Sequence, residues 1–153
     1  MFSKACEYAI RATLYITAES LEERRTGLKA IAKQSDSPEA YIAKVLQQLV
    51  KSKVIKSAKG PNGGFEIEPK SIHTINLSQI VKAIDGDSIY TACGLGLNLC
   101  DASNPCPVHY QFKAIRESLK EMLESTLVAD LAAKFNAGES KINNQLIQFQ
   151  NGK

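Results

Sequence analysis

The segment Lys59-Gly60-Pro61-Asn62-Gly63-Gly64 constrains this chain more than any other stretch. Glycine and asparagine tolerate positive φ, and proline fixes its own φ, so these residues make a turn rather than continue a helix or strand. On either side stand short, partly alternating runs, Val54-Ile55-Lys56-Ser57-Ala58 and Phe65-Glu66-Ile67-Glu68. Two β-capable runs joined by such a turn predict a small hairpin. What precedes it is helical. Residues 3–20 carry Tyr8, Ala12 and Tyr15 on one face, with Ile10 and Leu14 beside them, and Leu28, Ile31 and Ala32 mark a short second helix. Asp36-Ser37-Pro38-Glu39 predicts the start of a third, with Asp36 as N-cap and Pro38 in the first turn; Ile42, Val45, Leu46 and Leu49 follow at i, i+3, i+4, i+7. Only a few residues separate the last two helices, the spacing of a helix-turn-helix. The expectation is a mainly α chain with a small β wing: a winged helix-turn-helix domain over residues 1–85.

Charge adds a partner to that shape. Net charge is +3, yet residues 1–70 hold 12 Lys/Arg against 8 Asp/Glu, while residues 71–153 hold 7 against 8. Residues 41–65 contain Lys44, Lys51, Lys53, Lys56 and Lys59 and no acid. An acid-free stripe covering both the third helix and the wing points to double-stranded DNA, although winged helices also dock proteins. Ser37, Tyr41, Lys44 and Gln47 are candidates for major-groove contact. Lys56, Lys59 and the backbone of Gly60, Asn62 and Gly63 are candidates for phosphate or minor-groove contact.

The chain's 153 residues, 44% hydrophobic, suffice for one compact core. Its apolar runs fall short of the roughly 18–20 residues of a membrane helix. The opening Met1-Phe2-Ser3-Lys4-Ala5-Cys6-Glu7 has no apolar leader, so a cytoplasmic, membrane-free protein is expected. No nucleophile–base pair or phosphate loop is apparent, which argues against an enzyme.

Beyond a short helix over 79–84, residues 86–106 read as a cysteine-rich loop. Residues 107–136 read as helices for dimerisation, and 137–153 as a mobile polar tail without a role. In the helix over 107–125, Phe112, Ile115, Leu119, Met122 and Leu123 form a stripe near heptad spacing, expected to be a homodimer seam. Cys93, Cys100 and Cys106 stand at C-x6-C-x5-C, with His109 three residues beyond the last. Clustered thiols in a cytosolic chain suit an iron–sulfur cluster; zinc, which prefers tighter pairs, and a metal-free thiol switch are the competing readings. Cys6, in an apolar helix, reads as a small buried hydrophobe.

The opening Glu7-Tyr8-Ala9-Ile10-Arg11, the helix from Tyr41 to Leu49, the wing Lys59-Gly60-Pro61-Asn62-Gly63-Gly64-Phe65 and the three-cysteine loop together resemble the IscR–NsrR–CymR family of bacterial winged-helix transcriptional regulators. The resemblance spans about residues 1–135. It implies a homodimer whose long helices cross, acting on a palindromic operator, with a cluster held by Cys93, Cys100 and Cys106. For the fourth ligand it offers His109, which would suit a 2Fe–2S cluster and is slightly favoured, or Glu7 of the partner subunit, which would suit 4Fe–4S. It implies a sensor of iron–sulfur status, nitric oxide or redox stress, by default a repressor. A cluster-free repressor regulated by thiols or a partner protein is the alternative, and a cluster carrier without operator specificity the remoter one. Two departures stand out. The first cysteine gap is six residues rather than five, and Ala43 replaces a base-reading glutamate, so operator preference should differ.

Overall fold

The computed structural model describes residues 1–144. Among these, α1 (Lys4–Leu21), α2 (Leu28–Gln34) and α3 (Glu39–Lys51) precede an antiparallel hairpin of β1 (Lys56–Ala58) and β2 (Gly64–Glu66), and α4 (Leu77–Asp85), α5 (Ser88–Thr91), α6 (His109–Ser125) and α7 (Val128–Asn136) follow. The mainly helical winged architecture is the one expected.

The core follows from the helical spacing. Ile42, Val45, Leu46 and Leu49 all face inward from α3, where they meet Cys6, Ala9, Ala12 and Ile16 of α1, Ile31 of α2 and Ile80 and Val81 of α4. Each Ile, Leu or Val among them contributes about 1.5–3 kcal/mol by leaving water. Leu123 of α6 and Val128 of α7 belong to the same core, so burial runs without a break from α1 to the C-terminal helices. Main-chain bonds from Leu77 N–H to Thr126 C=O (3.1 Å) and from Val128 N–H to Ile75 C=O (2.9 Å) tie the start of α4 to that of α7. No helix of the described residues is long and apolar enough to cross a membrane.

Three local expectations change. Helix α3 begins at Glu39, with Pro38 at the N-cap position and no side-chain cap; Asp36 instead takes φ +50°. The reason is steric. A cap at Asp36 would require Ser37 to be helical immediately before a proline, where the ring disfavours that conformation. The apolar stripe of α6 divides: Leu123 is buried in the core and Leu119 packs against it, whereas Ile115 (61% exposed) and Met122 (46%) face outward. The tail expected to be mobile packs over its described part. Ile142 is buried, and Asn143 and Asn144 bond to Gln34 and Asp36. Residues 145–153 lie outside the described residues.

Candidate functional site

The wing is built by close approach. Gly64 sits at φ +133°, and a Cβ there would lie 2.8 Å from the Thr26 carbonyl oxygen; a Cβ on Gly63 would collide with the Ala58 carbonyl. That closeness lets the loop after α1 join the hairpin, because Thr26 exchanges main-chain bonds with Phe65 in both directions (3.1 and 2.8 Å). Next to it, Arg25 donates to the Asn62 carbonyl at the wing tip (3.2 Å) and pairs with Glu66 (3.1 Å). Sequence reasoning missed Arg25 and Thr26. They lie in a charged loop, and nothing periodic marks them as wing residues.

The predicted DNA-contacting residues fall on one connected surface with unequal freedom. Tyr41, Lys44 and Gln47 are exposed along α3. Tyr41 meets Tyr8 edge-on at 5.5 Å, and Arg11 lies over the other ring at 5.0 Å. Ser37 shares a hydrogen bond with Ser35 (2.7 Å) and is half-buried. On the wing Lys59, Gly60 and Asn62 are exposed and Gly63 is half-buried. Lys56 is engaged with Glu68 at 2.9 Å; their bond and opposite charges raise the lysine pKa and lower that of the carboxylate.

A second site lies at the opposite end of the sequence pattern, where the loop after α5 returns along α6. Gly94 lies so close to the Phe112 ring that a Cβ would strike it. Arg116 of α6 donates to the Ala92 carbonyl (3.1 Å) and to the Cys100 sulfur (3.2 Å), holding two points of the loop with one guanidinium. None of the four cysteines is joined in a disulfide. Backbone N–H groups of Leu95 and Leu97, then the side chain of Cys106, lower the Cys93 pKa, since donors stabilise a thiolate. The Cys100 sulfur lies 3.4 Å from His109 Nδ1. His109 is only 5% exposed, and its Nε2 is buried without a partner. A pocket of about 430 Å³ opens beside Cys100, His109, Tyr90 and Arg116.

Tested against an iron–sulfur cluster, these donors fit in kind. Thiolates and an imidazole are its ligands, and an orphaned buried ring nitrogen is a group that needs a partner. In the arrangement seen, Cys100 stands beside His109 and within reach of Arg116. Among the described residues no three His, Cys, Asp or Glu side chains are gathered so as to hold one metal ion. Glu7, on α1, pairs with Lys4 at 2.8 Å.

A helix-turn-helix with an exposed α3, a lysine-bearing wing and a separate thiol-rich segment defines a DNA-binding transcriptional regulator. The family model described as "Rrf2: Iron-dependent Transcriptional regulator" matches residues 2–134, and the chain belongs to that family. It is therefore a regulator of transcription and not an enzyme. An HTH-type transcriptional regulator of Aquifex aeolicus is 30% identical over 133 residues, covering 86% of this chain and 90% of the relative. The HTH-type transcriptional regulator NsrR of Oceanobacillus iheyensis is 23% identical over 129 residues, 84% and 86% of the two chains. Among solved structures, CymR, described as the global cysteine regulator of B. subtilis, superposes with a TM-score of 0.72 at 24% identity, covering 87% of this chain and 96% of its own. IscR of T. potens gives 0.69 at 21% identity, covering 92% and 91%. These two show the shared fold.

Proposed function

We propose that this chain acts in the cytoplasm as a homodimeric, operator-binding repressor whose affinity responds to an iron–sulfur cluster on Cys93, Cys100 and Cys106. His109 is the fourth ligand and 2Fe–2S the favoured cluster; Glu7 of the partner subunit and 4Fe–4S form the variant of the same reading. The observation that carries it is His109, a buried imidazole with Nδ1 beside the Cys100 sulfur and an unpartnered Nε2. Bound there, a cluster would supply a group that iron limitation, oxygen or nitric oxide can dismantle.

The chain's own residues do the rest. Arg116 fastens the cysteine loop to α6, so a change in the loop is felt by the helix whose outward Ile115 and Met122 suit a second copy. In a dimer the separation of the two α3 helices sets which half-site spacing is bound, and a small relative shift changes affinity. Tyr41, Lys44 and Gln47 read the major groove, with Ser37 at the start of the helix, while Lys59, Lys56 and the backbone of Gly60, Asn62 and Gly63 follow phosphates.

Anaerobic purification with visible absorption and iron and sulfide counts per chain tests this reading. A brown protein with stoichiometric sulfide, bleached in Cys93→Ala, Cys100→Ala or Cys106→Ala, supports it. A protein that stays colourless after reconstitution overturns it and leaves the cluster-free repressor. That second reading has its own support in the donors that lower the Cys93 pKa and so favour its thiolate, and in the likeness of the fold to CymR.

A further inference from the structure

The turn between α2 and α3 sets how the recognition helix stands on its support. Ser37 N–H bonds the Ala32 carbonyl (3.0 Å) and the Ser35 and Ser37 hydroxyls bond each other (2.7 Å), which closes the turn but leaves the Gln34 carbonyl and the Asp36 carboxylate unused. No side chain caps the N-terminus of α3, because Pro38 occupies that position. Asp36 takes φ +50°, a conformation L side chains rarely adopt. The Gln34 carbonyl, at the end of α2, is one of those a helix terminus leaves without an intrahelical donor. Both needs are met from the far end of the chain. Asn143 Nδ2 donates to the Gln34 carbonyl at 3.0 Å, and the Asn144 backbone N–H donates to the Asp36 carboxylate at 2.8 Å. Ile142, 8% exposed, anchors the segment that carries them.

We propose that residues 140–144 form a strap that positions the recognition helix: Ile142 seats it, and Asn143 and Asn144 fix the turn from which α3 departs. The strap bonds to α2 and to the turn, so it acts on DNA only through the stance of α3. Base readout depends on that stance, whereas phosphate attraction depends mainly on charge. Loosening the strap therefore lowers discrimination between sequences more than it lowers attraction to DNA in general. The inference rests on α3 being the helix that enters the groove and is independent of the cluster.

The test uses the full chain with Asn143→Ala and Asn144→Pro, neither of which alters net charge; the second removes the donating N–H. The probes are a duplex selected by the unaltered chain from a random-sequence pool and a random duplex of equal length. Each variant is expected to bind the selected duplex about five- to tenfold more weakly, the size of one or two net hydrogen bonds, with the random duplex and the salt dependence unchanged. Without DNA, the amides of Asp36 and Ser37 should exchange hydrogen faster in both variants. Equal weakening on both duplexes, or unaltered discrimination, overturns the proposal, whatever the exchange rates. If the unaltered chain selects no duplex, the reading of α3 has failed instead. Amide exchange then decides whether the strap holds the turn.

Discussion

Single residues set the shape of the wing, and the glycines there differ in what they require. Gly60 has φ +100° but open space around it, whereas a Cβ on Gly63 would collide with backbone that cannot move without opening the hairpin. Gly60→Ala should cost about 1 kcal/mol of backbone strain, and Gly63→Ala clearly more, with a larger loss of duplex affinity; urea unfolding and fluorescence anisotropy read the two effects. Cys6 makes a prediction about pH. Burial first, then the neighbouring Asp85 carboxylate, pushes its thiol from the ordinary value near 9 up to about 12. Folding thus keeps the thiol protonated. Its contribution is intact below pH 9 and is lost as the pH rises toward 12, because the unfolded chain ionises first. Urea unfolding between pH 8 and 10.5 should show stability falling with pH, and Cys6→Ala should flatten that fall. The glycines and the buried Cys6 were legible in the sequence because their requirements are local: a positive φ, or a small side chain in an apolar helix. Arg25 and Arg116 were not, since an arginine in a charged loop or on an amphipathic helix carries no mark of the distant carbonyl or sulfur it holds.

At the scale of elements, the wing and α3 present their lysines unequally. The Lys56–Glu68 pair is exposed, so it contributes little to stability and opens at small cost. Glu68→Gln should therefore tighten binding to any duplex and steepen its salt dependence by as much as about one phosphate's worth, a slope change near −0.9. A salt titration of anisotropy that leaves the slope unaltered would show that neither Lys56 nor Lys70, which also pairs with Glu68 at 3.2 Å, touches a phosphate. Helix α3 shows where sequence reading of elements stops. Its apolar face was legible from spacing alone, yet Asp36-Ser37-Pro38-Glu39 has the look of a cap two residues before the true N-cap position, because the residue types of a cap do not weigh the bar that Pro38 sets on a helical Ser37. The α6 stripe divides for a related reason. Periodicity finds the apolar face but not which neighbour covers it, and Leu123 turns to its own core while Ile115 stays exposed.

For the whole molecule, that exposed remainder carries the dimer prediction. Ile115→Glu places a charge where Ile115 and Met122 face outward and leaves Leu123 in place. Sedimentation equilibrium should then move from a dimer toward the 16.7 kDa chain without a fall in thermal stability of the monomer. A mass unaltered by the substitution would put the association surface elsewhere. The single core has another consequence, one that concerns time rather than space. Helix α1 precedes the other described elements, yet its buried face shares a core with Leu123 and Val128, and Asn136 reaches back to the Ala18 carbonyl at 3.1 Å. Burial of the first helix therefore begins against α2 and α3 and is complete only once α4 and α7 have been added. A nascent fragment ending after the wing would lack α4, α6 and α7 and keep in water the α1 residues that pack on them, poor in stability and open to proteases. The winged half is therefore no free-standing unit: its first helix leans for stability on helices that only come later in the chain.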